Sequence, residues 1–144
     1  MRLKIFVLCG MSLLLLVFYS CTRVDVKTET GTNVVEHVVF KGNGYNWVIV
    51  ISKMTYLPNN PPGAVIKISN TLDRNLTLDF DGSSHYTVSI GDNSEYTLEV
   101  KEGCYKIMAS APGLSYIPKD DKDCFADRWV YTIGWKRKDI ITTY

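Results

Sequence analysis

Three neighbouring stretches decide the fold: Ala64-Val65-Ile66-Lys67-Ile68-Ser69-Asn70, Leu76-Thr77-Leu78-Asp79-Phe80-Asp81-Gly82 and Tyr86-Thr87-Val88-Ser89-Ile90-Gly91. In each, large apolar residues fall on every second position, and Lys67, Thr77, Asp79, Thr87 and Ser89 fall between them. A period of two is the signature of a strand with one buried face and one wet face. Between the stretches lie Asp73-Arg74-Asn75 and Asp81-Gly82-Ser83, residues that accept turn dihedrals.

The same grammar continues in both directions. Tyr96, Leu98 and Val100 alternate with Thr97 and Glu99, and Tyr105, Ile107 and Ala109 alternate with Lys106. Trp47, Ile49 and Ile51 form an early inward set, and Trp129, Tyr131, Ile133 and Trp135 form the last one. The predicted strands are 34–40, 45–52, 64–70, 75–80, 85–90, 95–100, 104–111, 119–125 and 128–136. No segment of this body carries a 3.6-residue stripe. Val, Ile, Thr, Tyr, Phe and Trp supply 54 of the 144 residues, against 9 for Ala, Glu and Gln, so a helical bundle is excluded as a reading. The expected fold is all-β: an antiparallel β-sandwich, Ig-like or prealbumin-like, formed by residues 34–144 as one domain.

The first twenty residues follow another pattern. Arg2 and Lys4 precede an apolar run from Ile5 to Tyr19, broken by Gly10 and Ser12, and charge returns only at Arg23. A basic start followed by a hydrophobic run is the layout of a secretory leader. The run falls short of the roughly 20 residues that a permanent membrane helix needs, although a retained anchor is the competing reading. Ser20-Cys21 at the end of the run resembles the lipobox of bacterial lipoproteins, with Phe18 and Tyr19 departing from its usual Leu and Ala/Ser. That resemblance implies cleavage after residue 20 and a diacylglyceryl group on Cys21, with several acyl chains anchoring the product firmly to a membrane. An ordinary leader with an incidental Cys21 is the alternative. Residues 21–33, Thr-rich and of mixed charge, read as a tether with a root-mean-square span of roughly 20 Å. Val24 and Val26 opening an edge strand is the alternative there.

The formal charge of +1 is carried by the leader: without Arg2 and Lys4 the chain from Cys21 onward stands at −1. That near-neutral balance, with no dense Lys/Arg face, sets nucleic acid aside as a partner. With Cys9 in the leader and Cys21 assigned to lipid, Cys104 and Cys124 remain, and an exported domain with two thiols is expected to bridge them. A hairpin folded about Leu114 would set the two directly opposite one another on the outer face beside Lys106.

The run Ala64–Asn70, Leu76–Gly82, Tyr86–Gly91 and Glu102-Gly103-Cys104-Tyr105-Lys106-Ile107 resembles small exported β-sandwich domains of the prealbumin-like or Cna-B-like kind, found in bacterial lipoproteins of undefined function. Their mark is a Gly-x-Tyr step opening a strand, usually after Pro, where this chain has Glu102. The resemblance implies a fold and an extracytoplasmic setting and supplies no catalytic residues. The Lys, Asn and acid set of an intramolecular isopeptide bond is not recognisable.

Chemistry-bearing motifs are sparse. His37 and His85 stand outside any ligand-spaced motif, so no metal or cofactor is expected, and Ser83-Ser84-His85 reads as a polar turn rather than a nucleophile with its base. Asp120, Asp121, Asp123 and Asp127 could gather round calcium, but Lys119, Lys122 and Arg128 offset their charge. Lys136-Arg137-Lys138 reads as an exposed strand end. From Cys21 onward there are three Trp, eight Tyr and three Phe, and among them Tyr56 and Tyr116, set beside turn-rich segments, are the candidate partner-binding aromatics. The expectation is a non-enzymatic, lipid-anchored module of the bacterial envelope that binds an envelope protein or glycan. The alternative is an inhibitor of a lysozyme or protease that inserts loop 56–63 or 112–123 into the enzyme's cleft. A small hydrolase is the third possibility, one that lacks an acid, base and nucleophile set.

Overall fold

The computed structural model describes residues 34–139. The leader, Cys21 and the tether lie outside the described residues. Ten strands follow one another without a helix among the described residues: β1 (Val34–Gly42), β2 (Tyr45–Tyr56), β3 (Ala64–Ser69), β4 (Leu76–Asp81), β5 (His85–Ile90), β6 (Glu95–Val100), β7 (Gly103–Ser110), β8 (Ser115–Tyr116), β9 (Asp123–Phe125) and β10 (Trp129–Asp139). They form a six-stranded sheet in the order β6-β3-β10-β2-β1-β8 and a four-stranded sheet in the order β5-β4-β7-β9.

The predicted alternation is what closes the two sheets on each other. Ile49, Ile51, Ile66, Ile68 and Ile133 point from the larger sheet and Leu76, Leu78, Phe80, Tyr105 and Ile107 from the smaller, all buried in one core. Phe125 sits at its centre, with its ring edge-on to Tyr131 at 4.9 Å and tilted against Phe80 and Tyr105 at 6.3 and 6.2 Å. The core tyrosines keep their hydroxyls satisfied, Tyr105 by donating to the Lys101 carbonyl at 2.7 Å and Tyr131 by accepting from the Ala126 amide at 2.7 Å.

Four details depart from the expected pattern. β10 runs parallel to β3 while every other pair is antiparallel, because the last strand slots between β2 and β3 rather than adding at an edge. The 111–122 segment is no hairpin: β8 crosses to pair with Phe40 and Lys41 of β1, and only Asp123–Phe125 return to β7. Asn70, the last residue of the predicted strand 64–70, lies just beyond β3 and is 1% exposed. Its Nδ2 donates to the carbonyls of Arg74, Ile90 and Gly91 at 2.9, 3.2 and 2.8 Å, and its Oδ1 accepts the Leu72 amide at 3.0 Å. It thereby carries the chain from the larger sheet to the smaller without leaving buried backbone groups unpaired. Tyr96, on the inward side of β6, is 44% exposed because β6 is an edge strand.

β1 and β2 join through Asn43 and Gly44, both at positive φ, the two-residue turn that matches the twist of a hairpin. Val34 at the start of β1 and Tyr56 at the end of β2 thus lie towards one end of the larger sheet, and Gly42, Tyr45 and Asp139 lie at the other.

Candidate functional site

The register lines up four strands, distant in sequence, across the outer face of the larger sheet. One row of partners runs Ser52 of β2, Thr132 of β10, Lys67 of β3 and Thr97 of β6. In the next row Val50 stands opposite Gly134, and Ser69 opposite Glu95. Three interstrand spacings make the rows roughly 14 Å long. With Lys136 and Tyr96 at the margins these residues line an open trough of about 440 Å³.

Gly134 creates the depression. A Cβ built on it would meet nothing within 4 Å, and its φ lies outside the left-handed region, so neither packing nor backbone conformation requires glycine there. A glycine inside a strand weakens it, and its usual roles are a bulge, a bend or the close approach of another molecule. Trp135, the next residue, turns its side chain to the inner face, where it is 8% exposed and stacks on Phe40 in the core at 5.7 Å, with its indole N–H buried and without an acceptor among the described residues. A buried donor without a partner costs stability.

At the edge of this face Glu36 receives Lys136 at 2.6 Å and Lys138 at 3.8 Å, and Arg137 lies over the Tyr45 ring at 4.3 Å. The hydrogen bond from Lys136, then its charge, hold the Glu36 carboxyl below the ordinary range. The basic run of β10 is therefore largely engaged within the sheet. Lys67 makes no ion pair among the described residues.

Tyr56 and Tyr116, the two aromatics singled out in the sequence, lie near opposite ends of the larger sheet and do not share a patch. Tyr56 is the last residue of β2, half-buried, 5.7 Å from the Trp129 ring, and Lys53 lies over the other aromatic of that pair at 4.0 Å. Tyr116 packs edge-on against Phe40 at 6.4 Å and donates to the Ile107 carbonyl at 3.4 Å; burial raises its hydroxyl pKa. It caps the core where β8 crosses between the sheets.

The 57–63 loop is strapped to the turn before β10. The Leu57 amide donates to the Arg128 carbonyl at 2.8 Å, the Arg128 amide to Gly63 at 2.6 Å, the Gly63 amide to Asp127 Oδ1 at 2.6 Å, and Arg128 Nη1 to the Pro58 carbonyl at 3.1 Å. Arg128 holds φ +60 and Gly63 φ +111 to make these contacts.

The remaining candidates are scattered. Asp127 is engaged with Gly63, Asp121 with Lys119 at 3.7 Å and Asp120 with Lys106 at 4.0 Å, while Asp123 turns inward, where burial raises its carboxyl pKa. His85 is exposed on the smaller sheet, its Nε2 3.2 Å from Thr87 Oγ1, with Asp79 and Asp81 at 4.0 and 3.8 Å; Ser84 supplies only a carbonyl to Gly82. His37 is half-buried in β1, and burial followed by the Lys119 charge pushes its pKa down to about 4. Cys104 and Cys124 are directly paired across β7 and β9, on the exposed side of the smaller sheet, and are joined by a disulfide. A second cavity of about 380 Å³ opens along the seam between β1 and β9, between Val35, Cys124 and Phe125.

The sequence signal for the trough is Gly134 itself, a glycine between Ile133 and Trp135 inside a long strand. The other lining residues come together only through the parallel β3–β10 pairing. No known protein family, no curated protein and no solved structure matches this chain.

Proposed function

We propose that the chain is an exported, membrane-tethered binding module without catalytic activity, anchored through lipid on Cys21 and recognising its partner with the outer trough of the six-stranded sheet. The observation that carries this reading is the Cys104–Cys124 disulfide, a bond at an exposed sheet surface that persists in an oxidising compartment. The leader pattern of residues 1–20 supports the same compartment. A prealbumin-like sandwich in a bacterial envelope is the finer form of the proposal. Confinement at a membrane raises the effective concentration of domain and partner, so a shallow open trough suffices for function. Mass spectrometry of the protein recovered from its own cells tests the anchor. The expected species begins at Cys21 with diacylglyceryl and acyl mass; a chain that still begins at Met1, or an unmodified Cys21, overturns it.

A second reading is favoured by the strap on the 57–63 loop. A loop with Pro58, Pro61 and Pro62 whose backbone is held in place loses little entropy on entering a cleft, as an inhibitor of a lysozyme or protease requires. Inhibition of such an enzyme that is abolished by replacing residues 59–62, with trough variants fully active, would select this reading over the first.

A further inference from the structure

We propose that the trough binds a saccharide chain that carries carboxylate groups, laid across the strands, with Lys67 taking a carboxylate and Gly134 giving the sugar its seat. The inference rests on reading the domain as a binding module and names the class of its ligand.

The lining is matched to a polyol. Ser52, Thr132, Thr97 and Ser69 present four hydroxyls, each both donor and acceptor, at positions set by strand register. Glu95 adds an acceptor at one end and Lys136 a donor beside Gly134. Short side chains on a sheet are ordered before any ligand arrives, so little entropy is lost on binding. Most of the exposed lining between these hydroxyls is apolar, the Val50 side chain and the bare backbone at Gly134 within it, and such surface suits the C–H faces of a pyranose. A groove for an amphipathic helix would instead have its apolar floor uninterrupted by a row of hydroxyls and an ammonium group.

Charge fixes the subclass. Lys67 stands in the hydroxyl row between Thr132 and Thr97 without an acidic partner among the described residues, whereas Lys136 and Lys138 already share Glu36. An ammonium group held among hydroxyls complements a carboxylate on the ligand. A peptide strand added to the edge of β10 beyond β3 is the competing occupant. It would run along Trp135–Asp139, next to Lys136 and Lys138, charges of the kind that guard sheet edges, and would not use the row across the strands.

Isothermal titration and amide NMR on the full chain in detergent, with hyaluronan hexasaccharide, neutral chitohexaose and an acetylated Thr-Glu-Val-Glu-Val-Thr peptide as probes, test the proposal. The expected result is saturable binding of the carboxylated saccharide, shifting the amides of Lys67, Thr132 and Gly134, with chitohexaose roughly tenfold weaker, the worth of one charge-assisted contact. Gly134→Val fills the seat and Lys67→Gln removes the cation; each should weaken binding roughly tenfold or more. Because a side chain at Gly134 meets nothing, the Gly134→Val chain should unfold at the wild-type temperature or above. Binding unaffected by either substitution, chitohexaose as tight as hyaluronan, or no saccharide binding by the folded protein overturns the proposal. Peptide shifts confined to Gly134–Asp139 without saccharide binding would overturn it in favour of strand addition while leaving the binding-module reading standing.

Discussion

Replacing Asn70 by Ala removes the one side chain that satisfies the backbone where the chain leaves the larger sheet. Its amide nitrogen has two protons for three carbonyls, those of Arg74, Ile90 and Gly91, and its oxygen takes the Leu72 amide. Losing three net hydrogen bonds at about 1–1.5 kcal/mol each, in a site 1% exposed, puts the loss at about 3–4.5 kcal/mol. That is a large part of the stability of a domain this size. Urea unfolding followed by tryptophan fluorescence reads it directly as a lower midpoint with an unchanged slope. The near-isosteric Asn70→Asp variant sharpens the test. It keeps the acceptor for Leu72 but sets a carboxylate against three carbonyl oxygens, which favours the protonated acid and raises its folded pKa above the unfolded value. Its deficit relative to wild type should therefore be greatest at neutral pH and shrink as the pH falls through that raised pKa. A loss below about 1 kcal/mol for the Ala variant, or an Asp deficit that grows with acid, would show that Asn70 is not the hub described.

Other expected outcomes follow from single sites. His37 is held neutral by burial, with a folded pKa of about 4 against an unfolded value of 6.5. Its contribution is present above pH 6.5 and is lost as the pH falls towards 4; with the ring half-exposed, screening leaves on the order of 1–2 kcal/mol of that linkage. Comparing the acid limb of the stability curve with that of His37→Leu measures it, and parallel curves would refute it. Reduction of Cys104–Cys124, or the double Ser variant, opens a separation of 20 residues and should lower stability by roughly 3 kcal/mol, seen as a lower urea midpoint with reductant present. Asp127→Ala frees the Gly63 amide and should cost about 1–2 kcal/mol. Limited proteolysis should then cut within 57–63 sooner than in wild type, and an unchanged cleavage rate would show that the strap does not hold the loop.

The strands were legible because alternation is a local property: Leu76, Leu78 and Phe80 had to share a face whatever lay beyond them. The disulfide was legible for a related reason, since the antiparallel pairing of β7 with β9 places Cys104 opposite Cys124 even though the intervening chain crosses to the other sheet instead of forming a hairpin. The position of β10 was not legible. Nothing local to Trp129–Asp139 says that it will lie parallel to β3 and between two strands that precede it by more than sixty residues, and the trough exists only through that pairing. Asn70 was read as the last residue of strand 64–70 because nothing local in the sequence shows that its side chain turns inward to feed four backbone groups. Tyr116, a candidate partner-binding aromatic from its turn-rich setting, also packs against Phe40, a contact not legible in the sequence because it arises only where β8 crosses to β1.

The arrangement of β1, β2 and β10 has a mechanical consequence. β1 and β10 both run against β2 and so point the same way, with Val34 at the start of one and Asp139 at the finish of the other, opposite Ser52 and Tyr45 respectively. Those points are roughly 20–25 Å apart along β2. Tension drawn between them loads the rungs of both ladders in shear together, instead of peeling them apart one at a time. A domain pulled in this direction yields abruptly and at high force, a property that would serve the membrane tether proposed above.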